Sequence, residues 1–346
     1  MPDSLTDAPA PTGALTGASE PLAVYTRDLV RTFGDKIAVN NLNLAIAKGD
    51  IYGFLGPNGS GKSTTIKMLC GLLAPTSGEA YVSGIDVRDH AEHIRSIIGY
   101  MPQRFSLYQD LTVQENLDFY ARLYGVSGKR GQARKKEVID LVGIGYYRKF
   151  LARELSGGWK QRLSLCCSLV HEPQMIFLDE PTASMDPVAR RELWDLLFTL
   201  ASSGVTLFVT THYMDEAERC SQLGYIYNSK LIVSGGPDEL KQIREVVGEG
   251  QKRVEVICTP LVRTFNVVKQ LPYTLDVTIF GQALHVVIPE AVEVSQLEKD
   301  LSDRQVTVRQ AQVIAPSLED VFVALTKSSK AEELETVSFD SGGDTP

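Results

Sequence analysis

The run GFLGPNGSGKSTTIKML, starting at Gly53, constrains this chain more than any other feature. It contains the pattern G-x-x-x-x-G-K-[ST] as Gly56, Gly61, Lys62 and Ser63, with Pro57, Asn58, Gly59, Ser60 and Thr64 completing the loop. The loop follows a short apolar run, IYGFL, and opens an amphipathic helical pattern, the context in which such a pattern cradles phosphate. Glycines let successive backbone N–H groups curl around phosphate oxygens, and the helix N-terminus adds its positive dipole end. In such a loop the lysine reaches the β- and γ-phosphates and the Ser63 hydroxyl ligates Mg2+. A Gly-rich turn of purely structural use leaves the strand–loop–helix register unexplained. The chain is expected to bind a nucleoside triphosphate.

Other candidate residues lie at the ends of apolar runs. QMIFLDEP reads as a strand tipped by two carboxylates. Asp179 is placed to hold Mg2+ or its water, and Glu180 to face the γ-phosphate as a general base or water-positioning group. Paired acids at a strand end are commonly just solvated. Here the apolar strand and Pro181 fix them at the carboxyl edge of an open sheet, where ligands of α/β folds bind. His212 follows the strand-like VTLFVTT and could donate to a γ-phosphate; a lone histidine can equally be structural. Gln103, in GYMPQRF, could offer its carbonyl to Mg2+ or to an attacking water, or be an ordinary loop amide. Phe33, in VRTFGD, could stack on a base, or belong to the core.

A second glycine-led helix start lies downstream. In ELSGGWKQRLSL, Ser156 can cap the helix, while Gly157 and Gly158 leave its amide end bare, as an anion site needs. The phosphate loop already supplies one such end, so the second calls for an explanation of its own.

The rest of the chain sets bounds. With 346 residues it can bury a sizeable core and is expected to form more than one domain. A formal charge of −8 argues against nucleic-acid binding by bulk electrostatics. No apolar run is long enough to span a bilayer, and the first residues lack the cationic and apolar regions of a signal peptide. The five cysteines include no C-x-x-C pair and read as buried thiols of a reducing cytoplasm.

Along the chain, 1–20 reads as a disordered arm, 21–240 as the nucleotide-binding domain, 241–252 as a linker, 253–326 as a small domain, and 327–346 as a disordered acidic tail. IYGFLG, MIFLD and VTLFVTT are compact apolar runs typical of parallel strands covered on both faces. Residues of about 104–170 form a helix-favouring interruption, in which Thr112 and Glu115 make a capping box. QLGYIYNSKLIVSGG reads as a hairpin turning at Asn228-Ser229, and ELKQIREVVGEG, from Glu239 to Gly250, as a helix running into the linker. The small domain has the order β-α-β-β-α-β of a ferredoxin-like sandwich and no catalytic constellation.

Together these pieces resemble the ATPase (nucleotide-binding) subunit of ATP-binding cassette (ABC) transporters. The motifs stand in family order: Phe33 as the A-loop aromatic, GPNGSGKST as Walker A, Gln103 as the Q-loop and LSGGWKQ as the signature. MIFLDE follows as Walker B, ASMD with Asp186 as the D-loop, and His212 as the switch histidine. The resemblance implies an α/β P-loop fold of ABC type: a mainly parallel core sheet, an antiparallel β subdomain, a helical subdomain and a small α+β domain after it. It further implies ATP and Mg2+ as ligands, with Ser63, Gln103 and Asp179 toward the metal. Two subunits would pack head to tail, Ser156, Gly157 and Gly158 of one closing over the γ-phosphate held by Lys62 of the other. The partner subunit would be a second copy or a paired ATPase. Hydrolysis to ADP and phosphate would drive a separate integral membrane permease from the cytoplasmic face of a bacterial inner membrane, with no nucleic acid involved.

LLAPTSGEAYVSGIDV, IGYMPQRFSLYQDLTVQENLDFYARLYG and PSLEDVFVALT resemble the bacterial exporter ATPases for drugs, lipids and polysaccharides. An importer ATPase or a soluble, non-transport ABC ATPase is the alternative. Two positions depart from the family: Trp159 stands where glutamine is usual in the signature, and Met185 where leucine is usual in the D-loop. Phe105 and Tyr108, near Gln103, are candidate exposed contacts for a permease helix, with core packing as the plainer reading.

Overall fold

The computed structural model describes residues 21–183, 185–243, 248 and 250–327. The expected arm over 1–20, and all but the first residue of the expected tail, lie outside the described residues. The chain divides into two compact units, one ending at Ser234 and the other starting at Gly235.

The first unit is built on two sheets. Strands β1 (Leu22–Phe33), β2 (Lys36–Ala47), β4 (Ser77–Val82) and β5 (Ile85–Asp86) form an antiparallel sheet in the order β2-β1-β4-β5. The second sheet is six-stranded. It contains β3 (Ile51–Leu55), β6 (Ile98–Met101), β7 (Met175–Asp179), β8 (Thr206–Thr211), β9 (Gln222–Tyr227) and β10 (Lys230–Gly235), in the order β10-β9-β3-β8-β7-β6. From β9 through β6 every pairing is parallel. Every residue of β3, β7 and β8 is buried, which is why these strands read as unbroken apolar runs rather than alternating ones. Phe208 locks the sheet centre, its ring 5.4 Å from Phe54 and 5.5 Å from Phe177. The β9–β10 turn falls at Asn228 and Ser229, whose φ values of 45° and 68° suit the two-residue hairpin turn that matches strand twist.

Parallel pairing places the tips of β3, β7 and β8 side by side, and three helices leave near them. These are α1 (Lys62–Leu69), α6 (Pro187–Ser202) and the short α7 (Met214–Ala217). A further helix, α2 (Ala91–Ile97), leads into β6. Between β6 and β7 the chain forms α3 (Val113–Leu123), α4 (Gly128–Val142) and α5 (Gly157–Leu169). The capping box starts α3: Thr112 Oγ1 accepts from the Glu115 N–H at 3.1 Å, and the Glu115 carboxylate accepts from the Thr112 N–H at 2.8 Å. Fully buried Asn116 pins the preceding segment, accepting from the Tyr108 N–H at 3.0 Å and donating to the Tyr108 carbonyl at 2.9 Å.

Two expectations need correction. Ser156 does occupy the N-cap backbone position of α5 (φ −64°, ψ 166°), but its hydroxyl makes no capping hydrogen bond. The first turn closes instead through the Lys160 N–H and the Ser156 carbonyl at 2.9 Å. The helix expected over Glu239–Gly250 is, in its described part, only α8 (Pro237–Leu240). It ends because the Gln242 N–H reaches back three residues, to the Glu239 carbonyl, rather than four. Residues 244–247 and 249 lie outside the described residues.

The second unit contains β11 (Gln251–Thr259), α9 (Leu261–Lys269), β12 (Asp276–Phe280), β13 (Ala283–Pro289), α10 (Val294–Asp303) and β14 (Thr307–Ile314). Its antiparallel sheet runs β12-β13-β11-β14, the order of a ferredoxin-like sandwich. Val254, Val256, Leu284, Val286 and Ile288 form its core with Leu297 and Leu301 of α10. The chain is helical again at 318–327.

All five cysteines are free and buried. Burial pushes the Cys166 thiol up to about 12 and raises the other four above their ordinary value. Among the described residues no helix is long and apolar enough to cross a membrane.

Candidate nucleotide site

The loop between β3 and α1 has the shape its glycines dictate. Gly61, at the N-cap of α1, has φ 115°, and a Cβ there would stand 2.4 Å from the Ala38 carbonyl oxygen. At Gly56 a Cβ would stand 2.2 Å from the Ile226 carbonyl oxygen. Any side chain at either position collides with neighbouring backbone, which is why both must be glycine. The Ser60 hydroxyl is buried without a hydrogen-bond partner among the described residues.

Lys62 is buried at the start of α1, and its ammonium donates to the Gly56 carbonyl at 2.7 Å and the Pro57 carbonyl at 3.1 Å. Burial pulls its pKa below the ordinary lysine value, partly offset by the charges of Glu180 and Asp179. Glu180 Oε1 stands 3.6 Å from that ammonium. Two opposite charges taken out of water hold together only with further partners around them. Here they have them, since Glu180 Oε2 accepts from the Gln103 amide at 2.8 Å and lies 3.7 Å from His212 Nδ1.

Asp179, at the tip of β7, accepts from the Ser63 hydroxyl at 3.1 Å and from the Thr210 hydroxyl at 2.8 Å. Glu180 adopts a left-handed backbone, φ 50°, a conformation costing a non-glycine residue roughly 1 kcal/mol or more. It is held there by its N–H, which donates to Thr210 Oγ1 at 2.9 Å. The turn swings the Glu180 side chain out of strand alternation, toward Lys62 and Gln103.

Lys62, Ser63, Gln103 and Glu180 meet at one pocket of about 390 Å3, lined also by Phe33, Lys36, Ala38, Asn58, Gly59, Gly61 and Thr64; Asp179 and His212 stand behind Ser63 and Glu180. Phe33 is half exposed at the end of β1, with the Arg31 guanidinium 4.6 Å over its ring. The dense N–H lining of a glycine loop, a buried cation and an exposed aromatic at the rim suit a polyanion carrying a flat ring.

The signature residues do not line this pocket. Ser156 and Gly157 are exposed, and a Cβ on Gly158 would lie 3.8 Å from Met185 and 3.9 Å from Ala189. The Trp159 ring packs 4.5 Å from Tyr147, with Arg162 over it at 5.3 Å, so this residue serves an aromatic cluster of the helical segment. Asp186 caps α6, accepting from the Val188 and Ala189 N–H groups at 3.0 Å each. The Ala189 hydrogen bond is the main influence holding its carboxyl below the ordinary carboxylate value. Ser184, within ASMD, lies outside the described residues. Tyr108 is exposed and packs edge-on to Phe119 at 4.9 Å, whereas Phe105 is half-buried under Lys160.

Sequence reasoning missed Thr210, which joins Asp179 to the Glu180 backbone. The paired threonines ending VTLFVTT, next to His212, were the available signal.

Residues 39–183 match the family described as ABC transporter. The chain is 36% identical over 315 residues to the daunorubicin/doxorubicin resistance ATP-binding protein DrrA of Streptomyces peucetius, covering 88% of this chain and 92% of that protein. It belongs to the ATP-binding proteins of ABC transporters. Another of these proteins, the Nod factor export ATP-binding protein I of Rhizobium etli, is 33% identical over 311 residues, 88% of this chain and 93% of its own. The probable multidrug ABC transporter ATP-binding protein YbhF of Escherichia coli is 45% identical over 236 residues, 67% of this chain. This ABC protein spans only 41% of the length of YbhF. Among solved structures, the dimeric bacterial ABC transporter cassette MJ0796 superimposes with a TM-score of 0.57 at 27% identity, covering 62% of this chain and 98% of that one. A dimeric post-hydrolysis state of the same cassette, bound to ADP and phosphate, gives a TM-score of 0.56.

Proposed function

We propose that this ABC protein binds and hydrolyses ATP, dimerises around two nucleotides, and drives a separate membrane permease that exports a drug-like, lipid or polysaccharide cargo. The observation that carries the hydrolytic part is the convergence of Lys62, Glu180 and Gln103 on one pocket, with His212 3.7 Å from Glu180 and the Ser63–Asp179 pair beside them. The export direction rests on relatives named for drug resistance and Nod factor export that extend across both units of the chain.

Each residue then has a physical task. The loop of Gly56 to Thr64 wraps the phosphates with backbone N–H groups, and Lys62 neutralises the β- and γ-phosphates. Phe33 stacks on the base. Glu180 takes a proton from, or orients, the attacking water; Gln103 and His212 hold its carboxylate, and His212 donates toward the γ-phosphate. The facing oxygens of Ser63 and Asp179 are hard donors that fit Mg2+, with the Gln103 carbonyl as a third. When bound, the ion would withdraw charge from the phosphates. Ser156, Gly157 and Gly158 would cap the γ-phosphate of a second subunit, with Asp186 at the same interface. That placement gives the exposed amide end of α5 a partner. The exposed Tyr108 and Phe119, beside the Gln103 segment, are the proposed seat for a permease helix at the cytoplasmic face of the membrane.

The deciding experiment is phosphate release by the purified chain with MgATP, with and without the co-expressed permease. Turnover that Glu180→Gln removes while ATP binding persists supports the reading. ATP binding with no release under either condition overturns it.

A further inference from the structure

One fully buried carboxylate has no task in the scheme above. Glu216, in α7, accepts a hydrogen bond from Thr182 Oγ1 at 2.5 Å through one oxygen and from Thr211 Oγ1 at 2.6 Å through the other. Thr211 Oγ1 also accepts from the Tyr213 N–H at 3.0 Å. Arg190 supplies the counter-charge, its Nε 3.6 Å from Glu216 and its guanidinium 4.0 Å above the Tyr213 ring. A glutamate in a four-residue helix could point into water at no cost. Here it is taken fully out of water, and each oxygen is spent on a hydroxyl from a different segment.

Those segments are the two that carry the reacting groups. Thr182 lies two residues after Glu180, while Thr211 and Tyr213 flank His212. The Glu180 N–H donates to Thr210, and the Glu180 carbonyl accepts from the Ala183 N–H at 3.3 Å. Downstream, the first side-chain restraint on its loop is the Thr182–Glu216 bond.

We propose that Glu216 is a positioning residue that ties the Glu180 segment to the His212 segment and so sets the two side chains relative to each other for turnover. The bridge holds Glu180 in its left-handed backbone with its carboxylate between Lys62 and His212. Nucleotide affinity, which depends on the loop and on Phe33, does not pass through Glu216. The proposal rests on the reading of Glu180 as the group that activates or orients water.

The test uses the full chain, with the variants Thr182→Val, Thr211→Val, their double, and Thr182→Ser and Thr211→Ser. ATP turnover, KM, affinity for a non-hydrolysable ATP analogue and melting temperature are measured, with wild type and Glu180→Gln in parallel. Each valine variant is expected to lower kcat about tenfold, with KM and analogue affinity within about twofold. Each serine variant, which keeps the hydroxyl, should recover kcat. Because either valine breaks the same bridge, the double should be little slower than the worse single. Where a valine variant fails to fold, Glu216→Met replaces it, since its side chain offers neither hydroxyl a comparable acceptor, and the same kcat loss at constant affinity is expected. Undiminished kcat in folded valine or methionine variants overturns the bridge, as do losses that multiply in the double or serine variants as slow as valine ones. Turnover that survives Glu180→Gln overturns the reading of Glu180 as the group that activates or orients water, and the bridge with it. A dead Glu180→Gln beside unaffected threonine variants overturns the bridge alone.

Discussion

Helices α1 and α5 begin in the same way, with glycine and bare amides, and end up in opposite circumstances. The tip of α1 is ringed by groups from its own unit: Gln103 after β6, Asp179 and Glu180 at the end of β7, and the helix's own Lys62. The tip of α5 turns outward, with Ser156 and Gly157 exposed and Met185 and Ala189 behind Gly158. Local sequence makes an anion-friendly helix end. Topology decides whether the same chain supplies the rest of the site. On the proposed reading α1 is self-sufficient for binding, while α5 serves only in company.

Four measurements bear on that contrast. The largest effect is expected on the α1 side: Glu180→Gln should slow phosphate release by about 10^2 to 10^4, with ATP affinity changed no more than a few-fold. A loss under about tenfold would remove Glu180 from the chemistry. Next, Ser156→Arg should cut turnover by roughly 10^2 while leaving ATP binding to the isolated monomer intact. An equal loss of monomer affinity would merge the two helix tips into one site and abolish the contrast.

A pH effect of at most tenfold per unit follows from Lys62. Burial lowers its pKa, disfavouring the charged form. A bound polyphosphate favours that form and lifts the pKa again, so binding takes up a proton between the lowered value and the higher bound one. Affinity should therefore fall as pH rises through this window, starting below the ordinary lysine value of 10.5. Calorimetry in two buffers of different ionisation enthalpy detects the uptake, which Lys62→Ala should abolish. No uptake would mean that the ammonium does not meet phosphate. The smallest effect is Trp159→Gln, expected to cost about 0.5–1.5 kcal/mol in denaturant unfolding through the lost Tyr147 contact, with turnover nearly unchanged. A large loss of turnover would make Trp159 part of the tip rather than of its support.

What could be read without coordinates was whatever carries its own local chemistry. The phosphate loop, the apolar strands β3, β7 and β8, the Thr112 capping box and the Asn228-Ser229 turn are all set by neighbours in sequence. The βαββαβ order of the second unit was legible for the same reason. What stayed hidden depends on strand order. Thr210, Thr182 and Glu216 become neighbours only because β7 and β8 lie side by side. Trp159 gained a rationale only when Tyr147, from a turn well upstream, was brought beneath it. Amphipathic composition over Glu239–Gly250 does not report that α8 stops at Leu240, where hydrogen bonding tightens; residues 244–247 and 249 lie outside the described residues.

The burial of all five cysteines makes the molecule ready for thiol chemistry without prior engineering. A native chain that presents no reactive sulfur at neutral pH can receive one new cysteine as its sole labelling handle, for example at Val188, exposed next to the Ala189 that backs the tip of α5. A dye or spin probe there would report, in solution and turnover by turnover, when the tip of α5 loses its water.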